Sequence, residues 1–276
     1  MHKILTIAGF DGSGGAGIQA DLKTFASLGC YGLSVLTCLP IQNTQGVEKC
    51  YPMSAQMVRE QLHSIFADIV PDAIKIGVLY NEEIVATVTN FLQENASGIP
   101  IVLDPVMVAT SGDSLLQKRA ITVLKRVMLP IATIVTPNTE EAFRLTGIPI
   151  ETTTDIQKAG ESLMDLGTNA VLLKGGHLCD QAATDLLLQK NTRAEWLTSQ
   201  RILSPNTHGT GCTLSAGIAA GLALGNDLLP SCRQAKAYLT QAIQHGKNLE
   251  IGRGNGPVHH FYHLTPAPLQ NNEDSR

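Results

Sequence analysis

Two glycine-rich segments carry residue types suited to handling phosphate. Gly12-Ser13-Gly14-Gly15-Ala16-Gly17 follows a short apolar stretch, and Thr207-His208-Gly209-Thr210-Gly211-Cys212-Thr213 opens a run of small residues. In the second, a Gly-Thr-Gly triplet at the start of a helix aims successive backbone N–H groups at one point, with the helix dipole behind them. Such an end binds phosphate or a developing oxyanion. Cys212 falls in the first turn, where the same field is expected to lower a thiol pKa. The plainer alternative is a glycine turn beside a buried cysteine. No Gly-Lys-Ser/Thr occurs in the chain, so this is not a P-loop.

The first segment spells G-x-G-x-x-G between a strand and a helix, which opens a dinucleotide-binding reading. That reading needs an acidic residue about 20 positions on, at the end of the second strand. Thr37-Cys38-Leu39-Pro40 supplies none, and Asp21 comes too early, inside the helix. A ligand-facing loop flanked by Asp11 and Asp21 is the better reading, with close helix–strand packing as the structural alternative. Three further groups follow apolar segments. Asn138 and Glu141, in Thr136-Pro137-Asn138-Thr139-Glu140-Glu141, share one helix face and could hold hydrated magnesium, although Asn138 serves equally as an N-cap. Lys174-Gly175-Gly176-His177 suits polyphosphate or a tight turn, and Asp104-Pro105-Val106 places a carboxylate at another strand end. Together they point to one phosphate-transfer site.

These residues need elements to hold them. Short apolar runs at Ile4–Phe10, Tyr31–Leu39, Ala73–Gly77, Ile99–Asp104, Ala132–Thr136 and Ala170–Lys174 read as strands. Helical periodicity fills the intervals at Ile18–Leu28, Ser54–Ile69, the stretch capped by Asn81, Leu115–Met128, Thr139–Thr146 and Thr153–Leu166. Ala183–Leu188 and Arg193–Thr198 read as an antiparallel pair, and helices at Gly211–Leu224 and Leu229–Leu249 complete the chain. Strand–helix alternation implies a mostly parallel sheet covered on both faces, with ligands bound beyond the carboxyl ends of its strands. One domain over 1–263 is expected, with a flexible tail at 264–276.

Composition narrows the classes. With 276 residues, 43% of them hydrophobic and only 16% charged, the chain can bury a large core and is not disordered. A net charge of −4 gives no reason to expect nucleic acid or an anionic membrane surface. No apolar run is long enough to cross a bilayer, and the N-terminus is not a signal peptide. The six cysteines form no C-x-x-C and no regular spacing, as expected of free thiols in the cytoplasm.

Taken together, Ala8-Gly9-Phe10-Asp11 through Asp21, Gln42-Asn43-Thr44, Lys75-Ile76-Gly77, Leu103-Asp104-Pro105-Val106-Met107, Thr136-Pro137-Asn138, Lys174-Gly175-Gly176-His177, Asn206 through Cys212 and Gly256-Pro257-Val258-His259-His260 resemble the hydroxymethylpyrimidine kinase/phosphomethylpyrimidine kinase family of thiamine biosynthesis. The resemblance runs from about Ile4 to His263. It implies an α/β fold, the ribokinase-like three-layer α/β/α sandwich with a mostly parallel central sheet. It also implies two ATP-dependent phosphorylations of 4-amino-5-hydroxymethyl-2-methylpyrimidine, first to the monophosphate and then to the diphosphate.

By the same resemblance, Cys212 would be the base, with Gly209, Thr210 and Gly211 forming the anion hole. Gly9, Asp21, Gln42, Val78 and Val106 would contact the pyrimidine. Asn138, Lys174, Gly176, His208 and Gly209 would contact ATP, and Glu141 and Asp104 would face Mg2+. A homodimer is implied. Val78 stands where the family often has methionine, which loosens the expected ring specificity. A pyridoxal or pyridoxine kinase of the same superfamily and a non-catalytic pyrimidine-binding regulator are the alternatives.

Overall fold

A computed structural model describes residues 1–108, 112, 115–176 and 182–264. His177, Cys179 and all but the first residue of the expected tail lie outside the described residues. The first half runs β1 (Lys3–Ala8), α1 (Gly17–Ser27), β2 (Tyr31–Leu36), β3 (Cys38–Asn43), β4 (Gly46–Pro52), α2 (Ala55–Phe66), β5 (Ala73–Ile76), α3 (Glu82–Asn95) and β6 (Ile101–Leu103). It continues through α4 (Lys118–Val123), β7 (Ile134–Val135), α5 (Thr139–Thr146), α6 (Thr153–Asp165), β8 (Ala170–Lys174), β9 (Ala182–Gln189), β10 (Glu195–Gln200), α7 (Thr210–Ala223) and α8 (Leu228–Gly246).

Eight strands form one sheet in the order β10-β9-β8-β7-β6-β5-β1-β2. Neighbours from β2 to β8 are parallel, while β9 and β10 add an antiparallel edge. Successive residues along the central strands point to opposite faces. Ile4, Ala73, Ile134 and Leu172 therefore enter a core shared with α1, α7 and α8. Their neighbours Leu5, Ile74, Val135 and Leu173 enter the other core, shared with α2 to α6. Three layers result.

The strand expected over Tyr31–Leu39 is two strands. Thr37, itself buried, breaks it: its N–H donates to the Ala8 carbonyl at 3.0 Å and its hydroxyl to the Val78 carbonyl at 2.6 Å. Beyond it, β3 turns away and pairs with β4, a strand absent from the sequence reading, in a separate two-stranded sheet. The helix expected from Leu115 starts at Lys118, because the N–H groups of Leu115 and Leu116 are bound to the Met107 carbonyl. It ends in a π-helical turn at Leu124–Met128. Asn81 caps α3 as expected, its side chain accepting from the Ile84 N–H at 2.9 Å.

Candidate active site

The loops following the parallel strands surround a cavity of about 630 Å³ that runs along the carboxyl edge of the sheet from the β1 side to the β10 side. Its wall includes Gly9, Gln42, Val78 and Val106 from the β1–β6 half, and Asn138, Lys174 and Gly176 from the β7–β8 half. Asp104 and the turn Gly209–Cys212, which starts the helix α7 that packs over β1, β5 and β6, belong to both.

Backbone geometry at that turn follows from its glycines. Gly209 has φ +80°, and a Cβ there would collide with the Gly15 carbonyl, so the two glycine segments touch backbone to backbone. Within the turn, Thr210 N–H donates to the Thr207 carbonyl and Thr213 N–H to the Gly209 carbonyl. The N–H groups of Gly211 and Cys212 lie in the first turn, without an intrahelical acceptor, and are available to an anion. Lys174 lies close by: a Cβ on Gly211 would stand 3.5 Å from its Nζ.

Asp11 organises the first glycine loop. Its carboxylate accepts from the N–H groups of Ser13, Gly15 and Ala16 and from the Ser13 hydroxyl, at 2.7 to 3.0 Å. His208 Nε2 reaches the same carboxylate at 2.8 Å. Burial opposes the charge, but the His208 and Ser13 hydrogen bonds outweigh it and hold the Asp11 carboxyl well below the usual range. Gln42, on the same side of the cavity, favours the ionised Asp11 in the same direction; an amide that turned its NH₂ to a carboxylate would keep Oε1 for a donor in the cavity. His208, expected at ATP, is thus held by Asp11.

Asp21 does not line the cavity. It is wholly buried in α1 beneath it, its Oδ2 accepting from Lys75 Nζ at 2.9 Å and from the Thr6 hydroxyl at 2.6 Å. Its expected contact with the pyrimidine is therefore corrected to a contact with the protein. Burial raises its pKa, against the pull of Lys75.

At the other half, Lys174 Nζ stands 3.2 Å from Asp104 and 3.9 Å from Glu141. Asp104 also accepts from the Thr136 and Ser215 hydroxyls. Asn138 and Glu141 form a capping box on α5, each side chain accepting from the other's N–H at 2.8 Å. The capping alternative for Asn138 is realised, on the cavity wall. Burial pushes Glu141 up to about 7, against the attraction of Lys174. Both carboxylates are hard oxygen donors suited to magnesium. No group of three or more His, Cys, Asp or Glu able to hold a metal occurs among the described residues. A magnesium ion there would take its remaining ligands from phosphate and water.

Cys212 departs from expectation. Burial dominates and pushes its thiol up to about 11, although Lys75 and the Gly17 N–H pull the other way. The lowering expected from the helix terminus is therefore not the outcome. Four residues of the site were given no role from the sequence: Asp11 as organiser, Lys75, and the pair Asp185–Lys236, joined at 2.6 Å on the β9 side of the cavity. Lys75 had a legible signal, a lysine inside an otherwise apolar four-residue strand.

Residues 11–259 match the family model described as phosphomethylpyrimidine kinase. A hydroxymethylpyrimidine/phosphomethylpyrimidine kinase of Rhizobium meliloti (strain 1021) is 49% identical over 94% of this chain and 96% of its own. The crystal structure of a phosphomethylpyrimidine kinase from Clostridium difficile 630 superposes with TM-score 0.77 at 40% identity, covering 88% of this chain and all of that one. An ADP complex of Bacillus subtilis pyridoxal kinase superposes with TM-score 0.86 at 36% identity, covering 94% of this chain and 97% of that one. The fold is the expected ribokinase-like sandwich.

Proposed function

Because the chain belongs to the phosphomethylpyrimidine kinase family, we propose that it transfers two phosphoryl groups in succession from ATP to 4-amino-5-hydroxymethyl-2-methylpyrimidine. The observation that carries this reading is one cavity with Gln42 and Lys174 at its two halves and the Gly209–Cys212 turn between them. The protein acts as a single domain over 1–263, as a cytoplasmic homodimer. Free thiols at Cys30, Cys38, Cys50, Cys212 and Cys232 suit a reducing compartment.

Gln42 Oε1 accepts from the amino group of the ring, and Val78 and Val106 cover its faces. The Gly9 carbonyl already accepts from Ile18 N–H at 3.0 Å and keeps a second lone pair for the substrate. Lys174, Asn138, Gly176 and the N–H groups of Gly211 and Cys212 hold the phosphates and stabilise charge on the group in flight. Asp104 and Glu141 would hold magnesium, which would offset phosphate charge.

In the first step the substrate hydroxyl loses its proton as its oxygen bonds phosphorus. A thiol near 11 is present as thiolate in only about one molecule in ten thousand at neutral pH, yet that thiolate is a correspondingly stronger base. A loose transition state calls for the proton late, so Cys212 suffices as its acceptor. The proton then passes to solvent. In the second step the acceptor is a phosphate anion and needs no base.

Incubation with ATP and the free pyrimidine alcohol tests the reading: monophosphate should rise and then give way to diphosphate. Neither product appearing would refute it. A second reading, pyridoxine-type phosphorylation, is favoured by the small Val78 in the ring wall. Turnover of both alcohols side by side separates the two.

A further inference from the structure

The mechanism above leaves one buried charge pair without a duty. Lys75 and Asp21 are each 0% exposed, yet Lys75 forms part of the cavity wall. A buried ion pair is poor evidence for stability, since apolar residues of the same volume generally do as well. The surroundings are built to keep this one. The neighbouring Gly77 has no side chain, and a Cβ there would stand 2.9 Å from Lys75 Nζ. Both donors to Asp21 converge on Oδ2, while Oδ1 is buried with no partner among the described residues.

The pair faces the cysteine. Lys75 lies on the strand face shared with α1 and α7, the side from which Asp21 and Cys212 approach. The charged or polar groups acting on the Cys212 sulfur are Lys75 from β5, Asp21 and the Gly17 N–H from α1, Asp104 from the loop after β6, and Lys174 from the end of β8. Asp104 is engaged by Lys174 at 3.2 Å, so the two largely offset one another. Lys75 remains as the cation whose field the sulfur feels most.

We propose that Lys75 is a positioning residue for hydroxyl phosphorylation: a cation, anchored by Asp21 under the cavity floor, that steadies negative charge on the Cys212 sulfur. Its role rests on the reading of Cys212 as proton acceptor. The anchor matters because a lone buried ammonium would shed its proton, whereas Asp21 keeps Lys75 charged.

Alkylation of Cys212 by iodoacetamide, followed across pH by peptide mass spectrometry, reads the sulfur without reference to catalysis. In Lys75→Met the midpoint should move up by about one pH unit or more, a tenfold loss of thiolate. The hydroxyl step should slow about tenfold while the phosphate step stays within about threefold. Lys75→Met leaves Asp21 buried and unpaired, so the double variant Asp21→Asn/Lys75→Met carries the test should the single variant fail to fold. Its midpoint should itself lie above that of wild type. An unmoved midpoint in Lys75→Met, or full return to wild type in the double variant, overturns the proposal. Equal loss of both steps in Cys212→Ala would instead overturn the reading of the cysteine and leave the alkylation result standing.

Discussion

His208 Nε2 lies 2.8 Å from Asp11 Oδ2, and this contact joins two loops separated by 197 positions in the chain. One loop lies beside Gly9 on the cavity wall, and the other opens α7 with the Gly209–Cys212 turn. The same carboxylate fastens the Gly15 and Ala16 N–H groups. Position 11 thus governs both halves of the site.

Asp11→Ala strands several donors in a buried setting and should cost about 3 kcal/mol in urea unfolding. The pH dependence follows from the sign of the shift. The folded carboxyl is depressed, so its contribution is complete above the ordinary carboxylate range and is lost as pH falls below about 4. Asp11→Asn should lack that part of the acid loss. Identical pH 3 to pH 7 differences in the two proteins would contradict the assignment.

Cys212→Ala should slow phosphorylation of the alcohol by about 100-fold or more and that of the monophosphate by less than about fivefold. Separate assays, each started from its own acceptor, measure the ratio.

Glu141 shows the opposite sign. Between its ordinary value near 4.5 and about 7, the folded protein keeps a proton that the unfolded chain has released. Stability from this group therefore falls as pH rises through that window. Glu141→Gln keeps an acceptor for the Asn138 N–H and removes the titration. The variant should gain relative to wild type on going from pH 5 to pH 8, as read by calorimetric Tm. It should also need more magnesium for half-maximal rate.

The C-terminal segment props the hairpin that carries Gln42. Asn255 N–H donates to the Thr44 carbonyl at 2.9 Å, and a Cβ on Gly254 would run into that carbonyl. Gly254→Val should displace the β3–β4 turn and raise KM for the pyrimidine by about tenfold. KM for ATP should hardly move, and equal rises in both would argue against the hairpin as a substrate-side element.

What could be read from the residues alone tracks physical range. The central strands are short apolar runs whose partners lie on both faces, and their positions are legible because burial on two faces leaves no room for polar residues. Asn81 acts within its own helix and was equally accessible. The β3–β4 hairpin was not, because Pro40, Gln42 and the polar turn at Thr44 and Gln45 present no strand pattern. Asp21 misled for another reason. It sits beside a ligand loop in sequence, but its partners Thr6 and Lys75 come from two strands, at separations of 15 and 54 residues. The Cys212 expectation weighed the helix terminus and could not weigh the depth of burial, which decides the outcome.

One consequence concerns the order in which the chain is made. His208 bridges to Pro257, and Asn206 bonds the carbonyls of Gly246 and Leu249. The loop that opens α7 is thus braced by residues that leave the ribosome after the sheet and most helices are complete. A domain folds as a unit, so the anion turn, although it begins α7, takes its final shape only once the segment from Gly246 to Pro257 has docked against it.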